Sequence, residues 1–221
     1  MRIRCRAIAC AVAGLAAATG HLSCAWSQSE ARPNAVFLVA KTTIRDPNFS
    51  QTVVLATQTP DAHTIGVILN RPSPLKLSQF YPEGVPTQNY KDVVYFGGPV
   101  MRQTIVALFR SELPPAAAAF HVLPGLYLTM HPRNVERLLA SPDTPPYRLY
   151  AGFSGWSPGQ LKGELERDGW YVVPADMATV LRKDPAGLWK ELHDRASRTQ
   201  ARAAPHAAGN PDDVCTLQFK N

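Results

Sequence analysis

The chain has 221 residues, 45% of them hydrophobic and 18% charged, with a formal net charge of +6. That composition suits one globular domain and excludes collagen, coiled coil, a wholly disordered chain and a disulfide-rich miniprotein. A chain of this size buries roughly 70% of its unfolded surface, so a sizeable core forms without a metal or disulfide staple.

At the N-terminus Met1-Arg2-Ile3-Arg4-Cys5-Arg6 precedes an apolar run from Ala7 to Ala18, followed by small and polar residues around Ser23 to Ser27. These are the three regions of a secretory signal peptide. The apolar run is too short to cross about 30 Å of hydrocarbon as a mature helix, and no later stretch is long enough. Ala25 and Ser27 place the cut before Gln28, so residues 1–27 are predicted as signal peptide and the mature chain as periplasmic or secreted. A lipoprotein cut before Cys24 is disfavoured by His21, which stands where an aliphatic residue is expected; the alternatives to a signal peptide are an organelle transit peptide, favoured by the three early arginines, or a mis-assigned start codon, and the chain stays cytoplasmic if the signal is not used. Cleavage removes Arg2, Arg4 and Arg6 and no acid, lowering the charge from +6 to +3, and takes Cys5, Cys10 and Cys24 with it. Cys215 is then the single thiol, either free or the link of a dimer. The remaining basic excess is spread along the chain, so nucleic acid is not expected as a partner.

After a polar lead-in over 28–34, Ala35 to Ala40 is an apolar run of strand length. Thr52 to Ala56 and Thr64 to Leu69 form a hairpin with a polar tip at Pro60-Asp61-Ala62-His63. A proline-rich loop with a helical turn near Leu75 to Phe80 leads to the strands Val93–Phe96 and Thr104–Phe109, separated by Gly97-Gly98-Pro99. Phe120–Leu123 and Leu126–Met130 add strand character, and Pro132 opens a helix with Val135, Leu138 and Leu139 on one face. Arg148–Ala151 is another strand. Ser157-Pro158-Gly159-Gln160 has the form of a capping box with Pro158 at the first helical position, and Gly169 is placed to end that helix in a left-handed cap. Asp176 and Asp184-Pro185 start two short helices, the second with Leu188, Trp189 and Leu192 inward. From about Arg195 the chain is polar without apolar period, predicting a disordered tail over 195–221. Strands dominate the first two thirds and helices the last, which predicts one α+β domain over 35–194.

Taken in order, several motifs resemble the YqgE/AlgH family of small bacterial proteins. They are Phe37-Leu38-Val39-Ala40, Asp46-Pro47-Asn48-Phe49, Thr52-Val53-Val54-Leu55, and Gly66-Val67-Ile68-Leu69-Asn70-Arg71-Pro72. Phe96-Gly97-Gly98-Pro99-Val100, Gly152-Phe153-Ser154-Gly155-Trp156-Ser157-Pro158-Gly159-Gln160-Leu161, Glu164 and Trp170 complete the set. The resemblance implies a bent, barrel-like, mainly antiparallel sheet flanked by helices. It implies no established catalysis; one member is linked to alginate regulation, which suggests a cytoplasmic transcription role as an alternative. Most members look cytoplasmic, and the signal peptide is a departure. Thr57-Gln58-Thr59 stands where many relatives carry a Cys-Glu-His-like run, with His63 nearby, and the end from Cys215 to Asn221 also differs.

Asp46 and Arg71 are the charged pair of interest. Guanidinium offers a planar fork for an anion or carboxylate, with Asp46 orienting it. Turn chemistry is the favoured assignment, with Asp46 capping a turn, Arg71 pairing with it and Asn70 closing the strand end. Gly97-Gly98 could present amides to an anion, although positive φ in a tight turn accounts for both glycines. Gly152-Phe153-Ser154-Gly155 lacks the second glycine of a nucleophile elbow, since Trp156 stands there; Ser154 is expected as a turn residue and Trp156 as a core or groove aromatic. The histidines show no metal-ligand spacing, so neither metal nor cofactor is expected. The expectation is a non-catalytic binding or interaction module whose surface gathers Asp46, Asn70, Arg71, Gly97, Gly98, Trp156 and Gln160, with an unknown protein or small-molecule ligand. The competing expectation is a hydrolase using Asp46 or Glu164 as general base.

Overall fold

The computed structural model describes residues 33–141 and 146–203. The export signal expected over 1–27, Cys215 and the last part of the expected tail lie outside the described residues.

The strands are β1 (Val36–Ala40), β2 (Val53–Gln58), β3 (Thr64–Ile68), β4 (Tyr95–Phe96), β5 (Val100–Arg110), β6 (Phe120–Leu123), β7 (Leu126–Thr129), β8 (Tyr147–Trp156) and β9 (Trp170–Pro174). The helices are α1 (Pro132–Ala140), α2 (Gln160–Glu166), α3 (Met177–Val180) and α4 (Leu188–Ala203). Among the described residues the strands form one sheet, ordered β6-β7-β5-β8-β3-β2-β1-β9, with β4 beside β8. All pairings are antiparallel except β4 with β8. Right-handed strand twist, summed over so many strands, curls the sheet into a half-barrel. The curl brings the Ala35 N–H, just before β1, within 3.2 Å of the Val122 carbonyl on edge strand β6.

Period-two alternation places Phe37, Val39, Val53, Leu55, Val106 and Leu108 on the inner face, where they meet Val180 of α3 and Leu188 and Leu192 of α4. The outer face is covered in two parts. α1 lays Val135, Leu138 and Leu139 on Ile105, Ala107, Leu149 and Ala151. α2 lays Leu161 beside Val36, Leu38, Val54 and two tryptophans, Trp156 and Trp170. Both faces of β1 and β2 are thus buried, which explains why these strands are continuous apolar runs rather than alternating ones. The α+β class, the barrel-like antiparallel sheet, the hairpin and the buried face of α1 agree with the expectations from sequence.

Four local expectations need correction. β8 does not stop at Ala151 but runs through Trp156, so Ser154 is a buried strand residue and not a turn residue. The α2 helix begins at Gln160, and its N-cap is Gly159, left-handed at φ 80°. Ser157 and Pro158 form a turn ahead of it, in which only the reach-back half of the box survives, the Ser157 N–H donating to Gln160 Oε1 at 3.1 Å. At the other end Asp168, not Gly169, takes the left-handed conformation (φ 58°), while the Gly169 N–H closes the helix on the Glu164 carbonyl at 3.0 Å. Asp168 is held there by an ion pair with the buried Lys41. Finally, α4 continues past Arg195 to Ala203. Its polar end needs no apolar stripe because Lys41 Nζ donates to Gln200 Oε1 at 3.1 Å, across 159 positions of sequence.

Candidate functional site

The turn between β1 and β2 is shaped by Asp46, whose Oδ1 accepts the Asn48 backbone N–H at 2.7 Å and its side-chain amide at 3.0 Å. This is the Asx turn that Asp-Pro sequences favour. Arg71, just after β3, inserts into the same turn. Its Nη1 donates to the carbonyls of Pro47 and Asn48 at 2.8 and 2.7 Å, and its Nη2 to that of Ser50 at 2.9 Å. Asn70 completes the clamp, accepting the Val53 N–H and donating to the Gln51 carbonyl, both at 2.9 Å. Arg71 therefore binds the turn's carbonyls rather than forming a close ion pair with Asp46. Burial lowers the guanidinium's proton affinity, and the charge of Asp46 partly restores it.

Phe49, at the centre of this turn, rests on two indoles, with ring centroids 6.0 Å from Trp156 and 5.7 Å from Trp170. The two tryptophans meet edge to face at 6.1 Å. Both indole N–H groups donate to one oxygen of Glu164, Oε2, at 3.0 and 2.9 Å, while Gln160 Nε2 donates to Oε1 at 3.2 Å. Each oxygen of Glu164 is occupied by a donor, and Asp46 Oδ1 is occupied by the turn. The arrangement suits an anchor for an aromatic cluster better than a general base, which needs a lone pair aimed at substrate.

Gly97 and Gly98 lie where β4 crosses β8. The Gly97 N–H donates to the Ala151 carbonyl at 3.0 Å, and its own carbonyl accepts the Ile68 N–H at 3.0 Å and the Ser154 hydroxyl at 3.1 Å. A Cβ on Gly97 would sit 2.2 Å from the Gly152 carbonyl oxygen, so close backbone approach, not turn geometry, demands this glycine. Opposite Gly152 the β5 register shifts between Val100 and Ile105, leaving Met101 to Thr104 bulged outward. Met101 is 58% exposed and sits at φ 47°. Arg102 crosses from the bulge to Asn48 of the turn, Nη2 to Oδ1 at 3.1 Å, with its guanidinium 5.3 Å from the Phe96 ring.

Asp46, Asn70 and Arg71 are thus brought together, Trp156 and Gln160 join them through Phe49 and Glu164, and Gly97 and Gly98 root the neighbouring bulge. Sequence reasoning missed Phe49, Trp170, Met101 and Arg102. Phe49 and Trp170 stood within its motifs, but neither Met101 nor Arg102 carried a local signal. Arg71→Ala is expected to lower stability by about 2 kcal/mol, with a fall in melting temperature of roughly 4–8 °C. Arg71→Lys should recover less than half of this, because an ammonium cannot fork across three carbonyls; a melting temperature unchanged in the alanine variant would contradict the clamp.

Among the described residues no three His, Cys, Asp or Glu side chains gather as metal ligands, and no helix is long and apolar enough to cross a membrane. The AlgH-like family, DUF179, matches residues 37–200. A UPF0301 protein of Thermobifida fusca is 34% identical over 181 residues, covering 76% of this chain and 90% of its own. One from Rhodococcus erythropolis is 30% identical over 187 residues, covering 82% and 91%. Among solved structures, the solution structure of the AlgH protein from Pseudomonas aeruginosa superposes with a TM-score of 0.59 at 25% identity, covering 85% of this chain and 95% of that one. The crystal structure of DIP2367 from Corynebacterium diphtheriae gives 0.58 at 28% identity, covering 75% and 87%.

Proposed function

The chain belongs to the AlgH-like family, and from that premise we propose that it is a non-catalytic interaction module that docks another protein on the rim formed by the β5 bulge and the 46–51 turn. One observation carries this reading. Met101, a non-glycine residue, is held at positive φ in an exposed bulge, flanked by Val100 and Arg102. Such strain persists only when the surroundings impose it, and it clusters where a surface has a task. The surroundings here are the Gly97–Gly98–Gly152 crossing beneath and the Arg71-clamped turn beside it. An apolar tip next to a guanidinium on a stiff base suits recognition, since little conformational entropy remains to be lost on docking.

The site of action in this reading is outside the cytoplasm. The basic, apolar and small-residue segments over 1–27 support that placement. One experiment tests both parts: tagged wild-type and Met101→Asp chains are recovered from periplasmic and cytoplasmic fractions and weighed intact. The expected result is a periplasmic chain beginning at Gln28 with a co-purifying protein that Met101→Asp loses, while stability changes by no more than about 0.5 kcal/mol. A chain beginning at Met1 in the cytoplasm overturns export, and equal recovery of the companion by both forms overturns the rim.

A further inference from the structure

Arg102 stands beside Met101 at the head of the β5 bulge and is exposed. Its side chain is held at two points. The guanidinium lies 5.3 Å from the centre of the Phe96 ring, and Nη2 donates to Asn48 Oδ1 at 3.1 Å. Asn48 is itself fixed: its Nδ2 donates to Asp46 Oδ1 at 3.0 Å, and its backbone carbonyl accepts from Arg71 Nη1 at 2.7 Å. The Asn48 amide thus stands between carboxylate and guanidinium with its oxygen toward Arg102. It orients Arg102 without neutralising it.

A guanidinium carries five N–H donors and a charge it does not shed. Among the described residues the Asn48 oxygen is the one hydrogen-bond acceptor that Arg102 meets, and no carboxylate pairs with it. The fork is stacked and aimed yet mostly unfilled, so little side-chain entropy remains to be lost when an anion arrives. The charge around it has one sign in excess. The turn, its clamp and the bulge bring Arg45, Arg71 and Arg102 together with one carboxylate, that of Asp46. Arg71 spends its fork on the turn's carbonyls, which leaves its charge in place but its donors engaged. Beside the Arg102 fork, Val100 is 36% and Met101 58% exposed, offering an apolar contact to whatever flanks the anion.

We propose that the partner docking on this rim presents an acidic side chain, Asp or Glu, next to a large apolar residue. Arg102 bridges the carboxylate, and the apolar neighbour rests on Val100 and Met101. This assignment rests on the reading of the rim as a docking surface and adds the chemistry of what docks. A forked guanidinium–carboxylate pair fixes orientation as well as adding energy, and the basic excess favours acidic partners over basic ones.

The test selects random dodecapeptides displayed on phage against the full chain, and separately against its Arg102→Glu and Met101→Asp forms. Peptides enriched on the wild-type chain are expected to carry an acid beside a large apolar residue. In synthetic copies, changing that acid to its amide should weaken binding at least about tenfold, the loss of hydrogen bonds to a charged group. Arg102→Lys, which keeps the charge without the fork, should recover only part of the affinity. Arg102→Glu should select basic peptides instead, while circular dichroism shows the chain still folded. Enriched peptides without acids, no enrichment at all, an acid-to-amide change without cost, or equal capture of the acidic peptides by Arg102→Glu overturns the assignment. Equal capture by Met101→Asp overturns the rim itself.

Discussion

Gly152→Ala is expected to lower stability by about 3–5 kcal/mol, from a left-handed backbone that disfavours any Cβ and from overpacking against the neighbouring chain. Gly152 sits at φ 71°, and a Cβ there would stand 2.7 Å from the carbonyl oxygens of both Gly98 and Val100. Those obstacles are backbone on two sides, so no rotamer change relieves them. The β5 bulge and the β4 crossing would have to move apart, and Met101 would lose its imposed conformation. Urea denaturation checks this: the midpoint should fall sharply with little change in slope. Gly97→Ala should behave similarly, since its Cβ would meet the Gly152 carbonyl at 2.2 Å. A loss below about 1 kcal/mol, the ordinary effect of a point substitution, would mean that the crossing is not packed as described.

Replacing Glu164 by alanine is expected to cost about 3 kcal/mol, because two indole N–H groups lose a shared charged acceptor and the Gln160 amide loses its partner. Trp156 is 3% exposed and Trp170 5%, so water reaches the freed donors poorly. Glu164→Gln should cost less, about 1 kcal/mol, since its remaining carbonyl oxygen still accepts from the indoles while the charge is gone. Tryptophan fluorescence and chemical denaturation measured together separate the outcomes. Loss of stability with an altered emission spectrum supports the anchor. An alanine variant as stable as wild type, emitting identically, would return Glu164 to the pool of free carboxylates.

Much of the fold was legible because its signals are short. The run from Ala35 to Ala40, the hairpin around Pro60 to His63 and the helix opened by Pro132 each depend on neighbours within a few residues. Asp176 likewise caps α3 by accepting the Thr179 N–H at 2.8 Å, as its position suggested. Where boundaries were misread, a distant partner had overridden local propensity. Asp168 takes the left-handed position that Gly169 was expected to fill, held by Lys41; α4 runs on through polar residues because Gln200 reaches the same lysine.

The candidate site divides along the same line. Sequence motifs identified Asp46, Asn70, Arg71, Gly97, Gly98, Trp156 and Gln160, and the tertiary structure assigns them mostly to holding backbone and aromatic rings in place. What protrudes from that scaffold, Met101 and Arg102, carried no motif.

By itself the sequence determined the α+β class, the strand and helix segments, the turn chemistry at Asp46 and the family resemblance. Only the tertiary structure decided what each polar residue is for. A hydrogen bond between residues such as Arg71 and Asn48 spans 23 positions, and the Ser154–Gly97 bond spans 57. Such pairings depend on sheet order, register and curl, which arise from many weak contacts summed over the whole chain and leave no trace in any short window of it.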